Sequence, residues 1–166
     1  MGWDALGTLK EALVELPELL SGYEWKTMHV TYEKPHIERL WREYGEGRLY
    51  LHRVAACKAE DSFYHPHPWP SAMHVMSGTY DNHVGDGNEV FSVTRMVAGS
   101  QYEMVNPKAW HKVVPVDRPA FTVMVTGPLF DPWVEMPTFP EFQQEELSTA
   151  RRRVILDTWR SLVWKM

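Results

Sequence analysis

The sequence predicts an all-β fold, an antiparallel barrel or sandwich with helices at both ends. Three observations carry this. First, no long helical period occurs between Arg48 and Gly127. Second, that stretch breaks into short β-rich runs separated by Gly, Pro, Asn and Asp: Arg48–Cys57, Phe63–His67, Met73–Tyr80, Glu89–Val97, Gln101–Val105, Trp110–Val116 and Ala120–Thr126. Short strands at near-regular spacing are the pattern of closed or layered antiparallel sheets. Third, sustained helical periodicity is confined to the two ends of the chain.

At the start, Leu6, Leu9, Leu13, Leu16 and Leu20 form one apolar helical face. Pro17 interrupts that pattern and predicts an end or a kink, and Ser21-Gly22 closes the segment. Glu24–Tyr32 alternates and reads as a strand. His36–Tyr44 reads as a short charged helix stopping at Gly45. Within the β-rich centre, Asp81–Asn88 has dense turn chemistry and predicts a loop between paired strands. Pro132, Pro137 and Pro140 predict an extended crossing. Glu141–Met166 then reads as the longest helix, with Ile155, Trp159, Leu162 and Met166 on its apolar face. Residues 1–45, 46–130 and 131–166 are thus an N-terminal part, a β core and a C-terminal crossing with helix, all within one domain.

Composition narrows the function. The 166 residues carry 17 Lys plus Arg against 22 Asp plus Glu, a formal charge of −5. That balance argues against a nucleic-acid partner, and the triplet Arg151-Arg152-Arg153 reads as a solvated face or a partner for carboxylates. The single Cys57 excludes an internal disulfide and a multi-cysteine zinc site, and reads as a small buried hydrophobe. No apolar run is long enough to span a membrane and no secretory leader is visible, so the expected compartment is the cytoplasm.

The chemistry-bearing stretch is Tyr64-His65-Pro66-His67-Pro68-Trp69-Pro70-Ser71-Ala72-Met73-His74-Val75-Met76-Ser77-Gly78. In an extended segment His65 and His67 point to the same side, where two imidazoles can share one metal ion. A third ligand must come from another strand, and His111, after the turn-forming Asn106–Trp110, is the best candidate. His65-x-His67 with Gly78 eleven residues later resembles the first cupin motif, and Pro107-x-Ala109-Trp110-His111 is similar to a shortened second one. The resemblance covers about Arg48–Phe130. It implies a cupin-type double-stranded β-helix, a jelly-roll barrel, with the terminal helices outside and His65, His67 and His111 as ligands of a divalent metal.

Many cupins add a glutamate ligand at a place that here falls near Ser71, so the implied set is three histidines. Such a set resembles that of thiol dioxygenases of the cysteine dioxygenase type. The implied function is a metal-dependent enzyme, a non-haem iron oxygenase or dioxygenase acting on a small polar molecule. Fe(II) is the first expectation, with zinc, nickel or manganese as alternatives. The other reading is a non-catalytic cupin that binds a small ligand or regulates. A homodimer is compatible with either.

Strand parity supplies further pocket candidates. Arg53 and Arg95 are the arginines of the β-rich runs that can project inward and grip an oxyanion. Tyr64, Trp69 and Trp110 are expected to line a substrate site, with Tyr50 and Tyr102 at its mouth. His74 and His83 are weaker metal candidates, and His29, His36 and His52 are expected at the surface or pocket edge.

Overall fold

The computed structural model describes residues 2–22, 24–30, 36–62, 64–130 and 144–165. Two antiparallel sheets face each other, and two helices cover the outer side of the larger one. Helix α1 is Ala5–Ser21. Strands β1 (Lys26–Val30), β2 (Ile37–Tyr44) and β3 (Gly47–Val54) follow. A 3-10 turn at Ala59–Asp61 leads to β4 (His65–Pro66), β5 (Ser71–Ser77) and β6 (Tyr80–Gly85). Next come β7 (Val90–Met96), β8 (Gln101–Met104), β9 (Trp110–Pro115) and β10 (Ala120–Thr126). Strand β11 (Gln144–Glu145) and helix α2 (Thr149–Trp164) complete the described chain. The large sheet has the order β11-β1-β2-β3-β10-β5-β8, and the small one β4-β9-β6-β7.

The period of two along each strand sorts the residues of the large sheet. Leu40, Leu49, Leu51, Ala72, Val123 and Val125 point outward and form one core with Leu9, Leu16 and Leu20 of α1 and Ile155, Leu156, Trp159 and Val163 of α2. Tyr50, Met73 and Met124 point the other way, towards the small sheet. The register aligns those inward residues in two rows. Met28, Arg39, His52, Thr122 and Val75 stand side by side across β1, β2, β3, β10 and β5. Lys26, Trp41, Tyr50, Met124 and Met73 form the row beside them on the same strands.

Four sequence expectations change here. His36–Tyr44 is not a helix; its residues 37–44 are strand β2, paired to β3 along its length and to β1 over residues 37–41. Ile37, Leu40, Trp41 and Tyr44 have helical spacing, but the strand is covered on both faces, so its apolar residues do not alternate. Gly45 turns the β2–β3 hairpin with φ +56, a conformation that favours glycine. Strands β2 and β3 on either side of it belong to one sheet.

The loop expected at Asp81–Asn88 is strand β6 as far as Gly85. Only residues 86–89 turn, where Asp86 Oδ1 accepts the backbone N–H of Asn88 and Glu89. Helix α1 continues through Pro17. A proline there forfeits one backbone hydrogen bond, but Leu16 and Leu20 on either side are fully buried and hold the last turn. Finally α2 starts only at Thr149, capped by the Ser148 hydroxyl accepting from the Arg151 N–H, so at 16 residues it is shorter than the 17 of α1. The expected proline crossing lies outside the described residues from residue 131 to 143, as do Tyr32 and Phe63.

Arg151 docks α2 on the sheet. Its Nε and Nη2 donate to both carboxylate oxygens of Glu38 at 2.5 and 2.7 Å. Arg53 Nη1 reaches the same carboxylate at 3.2 Å. The Arg151 guanidinium beside Glu38 holds that carboxyl below its ordinary range.

A three-histidine centre between the sheets

Strand β4 is two residues long, yet it fixes the centre. Its pairing with β9 sets His65 directly opposite His111, and the two Nε2 atoms lie 3.0 Å apart. His67, two residues on, turns to the same side: its ring centroid lies 5.1 Å from that of His65 and 4.9 Å from that of His111. One nitrogen from each ring falls within 4.8 Å of the others. Two nitrogens bound at a right angle, each about 2.1 Å from one ion, are about 3.0 Å apart, so the His65–His111 separation suits neighbouring ligands of a single metal.

Each partner of the ring nitrogens orients a lone pair. Asn82, on β6 beside β9, presents Oδ1 to His111 Nδ1 at 2.9 Å. An amide oxygen only accepts, so Nδ1 carries the proton and Nε2 is left basic. Ser71 Oγ stands 3.1 Å from His67 Nδ1 and holds that ring in place. Burial, reinforced by the neighbouring imidazoles, pushes His111 and His67 well below their ordinary pKa. Neutral rings with converging lone pairs are the ligating form, and the donor set is one that first-row divalent ions accept. These residues fit a metal.

Gly78 of the first motif has a structural task. It takes φ +87 in the β5–β6 turn, and a Cβ there would meet Pro119 O at 2.7 Å. Turning the chain here brings β6, and with it Asn82, beside β9.

The other sequence candidates divide. Trp69 belongs to the centre, its ring 5.5 Å from His67 and 6.1 Å from Tyr50. Arg53 does not: it shares the parity of Leu51 and pairs with Glu38 beneath α2. Arg95 lies on β7, an exposed edge strand, and its guanidinium grips Asp81 at 2.9 and 3.1 Å. Tyr64 and Trp110 alternate with the histidines and fall on the opposite side, Tyr64 under Lys112 and Trp110 against Gly87. Tyr102 is inside the barrel, hydrogen-bonded to Tyr80. His74 meets Gln101, His83 stands on β6, and Cys57 is half-buried.

His52, expected at a surface or pocket edge, is instead buried on the inner face, stacked on Tyr50 at 5.7 Å. Arg39 went unnoticed because β2 read as a helix, and Asn82 because Asp81–Asn88 read as a turn. Inward parity on a strand is the signal that would have found both.

No known family profile matches the sequence, and no curated protein matches it. Solved structures do. HppE in its Fe(II) form aligns with 62% of this chain and 56% of its own at 13% identity, with a TM-score of 0.53. That likeness decides the architecture. The fold is a cupin-type jelly roll. Hydroxypropylphosphonic acid epoxidase from S. wedmorenis aligns at 14% identity over 55% of this chain and 49% of that one, TM-score 0.47. KdgF from Halomonas sp. aligns at 12% identity over 66% of this chain and 91% of that one, TM-score 0.47. The chain spans about half the length of the epoxidase structures. Within the cupin barrel, the three histidines sit on β4, β9 and the loop after β4, between the two sheets. No described helix is long and apolar enough to cross a membrane.

Proposed function

We propose that this chain is a metal-dependent cupin enzyme, a non-haem iron oxygenase acting on a small molecule. The observation that carries the reading is the His65–His67–His111 cluster, whose nitrogens converge within 4.8 Å while Asn82 and Ser71 hold the outer nitrogens of two rings. His65, His67 and His111 would hold the ion. A first-row ion on three neutral imidazoles supplies open positions where a small molecule and dioxygen can meet, or a Lewis acid for water. Iron is favoured over zinc by the Fe(II) bound in HppE, whose fold this chain shares.

The chain's own residues do the rest. Asn82 keeps the ligating nitrogen of His111 unprotonated, and Ser71 holds the His67 ring. Trp69 stands against His67 and shields one side of the centre from water. Tyr50, Met73 and Met124 form the apolar wall against which Trp69 packs.

The test is metal content after native purification, followed by oxygen uptake of the iron-loaded protein with small carboxylic acids. Roughly one iron per chain is expected, lost in His111→Ala. A protein that retains no ion and takes up none from Fe(II), Zn(II) or Ni(II) would refute the reading. The second reading, a ligand-binding cupin without catalysis, draws support from the absence of any carboxylate in the cluster among the described residues. It would be favoured by stoichiometric metal without oxygen uptake.

A further inference from the structure

Beside the three histidines, the inner face holds two polar groups that no described residue satisfies. Arg39 Nε and His52 Nε2 are both sealed from solvent and have no hydrogen-bond partner among the described residues. They are cross-strand neighbours on β2 and β3. The contacts of the Arg39 guanidinium are soft: Met28 Sδ at 3.9 Å from Nη1, and the face of Tyr50 at 5.4 Å. The other inward arginine, Arg48, is supplied differently, with Glu43 at 3.8 Å and the Tyr50 hydroxyl at 3.3 Å. Arg39 is half-buried with its Nε desolvated, and an arginine so placed without an anion leaves its charge uncompensated. An anion from outside the chain resolves that deficit. The guanidinium fork matches a carboxylate, and the His52 imidazole offers a second donor beside it.

The neighbouring row says what else the ligand carries. Tyr50, Met124 and Met73 adjoin Arg39 and His52 along the same strands, and Trp69 links Tyr50 to His67. Methionines make an adaptable, polarisable surface suited to an apolar body. Arg39 brings one positive charge and burial keeps His52 neutral, so a monoanion balances the site.

We propose that the barrel binds a small amphipathic carboxylate, its carboxylate on Arg39 and His52 and its apolar body on the Tyr50–Met124–Met73 row. What then happens to this ligand rests on the metal-dependent reading above; its binding does not. The substrate is thereby narrower than a small polar molecule: one charged end and one apolar end.

Calorimetric titration of the full chain, as purified and again after chelation, tests this with phenylacetate, phenylacetamide and acetate. Phenylacetate is expected to bind about 10- to 100-fold tighter than phenylacetamide, the range for a hydrogen-bonded charge, and tighter than acetate, in both samples. Arg39→Gln should bring phenylacetate down to the affinity of the amide and leave the amide unchanged. Equal binding of acid and amide would overturn the proposal, as would full phenylacetate affinity in Arg39→Gln. A preference seen only before chelation would overturn it too, since the metal would then be the anion's partner. Tighter binding of benzylphosphonate than phenylacetate would overturn the monoanion assignment. Should Arg39→Gln fail to fold, the comparison of acid and amide on the unaltered protein still decides.

Discussion

The two faces of the seven-stranded sheet are built to opposite rules. The outer face, under α1 and α2, is apolar at its core, where Leu9, Leu16, Leu40, Leu49, Leu51 and Trp159 are all 0% exposed, and its buried Glu38 is matched by Arg151 and Arg53. The inner face buries Arg39 Nε, His52, His67 and His111, and leaves polar atoms there unsatisfied. One face supplies the driving force of folding; the other spends part of it on groups poised for a ligand. The same strands serve both, because alternate residues belong to different faces. A substitution at Leu51 and one at His52 therefore test different properties of one strand.

The largest contrast comes from truncating the outer core. Trp159→Ala should lower stability by roughly 3–5 kcal/mol, since the ring is fully buried against Phe121 at 5.8 Å. Metal content per folded chain should stay unchanged. A melting midpoint within a degree of the parent would break the comparison.

Acid comes next, and it should act through the inner face. His52, His67 and His111 have folded pKa values well below the ordinary 6.5. As the pH falls through 6.5 the unfolded chain takes up protons that the folded chain refuses. Stability is thus full above pH 6.5 and declines below it, by up to about 1.4 kcal/mol per pH unit for each such histidine. Denaturant melts of metal-free protein at pH 7.5 and 5.5 measure this. Equal midpoints would mean that the buried imidazoles are not held neutral.

Asn82→Ala should weaken metal binding by roughly 10- to 100-fold through loss of His111 orientation. Competitive chelator titration reads that change; an unaltered affinity would separate Asn82 from the centre. Arg39→Met should raise stability or leave it level, by about 0.5–2 kcal/mol, as removal of an uncompensated buried charge does. A loss of stability there would show that the inner face obeys the rule of the outer one. The smallest effect is expected at Arg95→Ala: the side chain is 59% exposed in its pair with Asp81, so the melting midpoint should hardly move and phenylacetate binding should not change.

The β-rich centre was legible because Gly, Pro, Asn and Asp punctuate it at turns that the fold uses, and because β3 through β10 lie near the expected runs. The histidine cluster was legible for a related reason: the period of two sends His65 and His67 to one side whatever the sheet does next. The two-sided strand β2 was not legible. Ile37, Leu40, Trp41 and Tyr44 satisfy helical spacing, and only the pairing partners β1 and β3 make them a strand. Asn82 was hidden by chemistry rather than by pattern. The short amide that favours a turn is the same group that accepts from His111. Trp110 and Tyr64 were singled out by proximity in sequence to the histidines, whereas on a strand the nearest neighbour is the residue that faces away.

The packing of α1 against α2 sets an order of events during synthesis. Arg160 Nε donates to Leu20 O at 2.8 Å across 140 residues of chain. Every strand of both sheets leaves the ribosome before α2 does, so the outer apolar face waits half-covered by α1 until α2 arrives. Contacts of such long range form late and slowly, and the uncovered leucines of β2 and β3 are a surface for chaperones or for misassembly in that interval. A ribosome stalled before Thr149 would hold a barrel whose histidine strands are already made but whose outer core is still open.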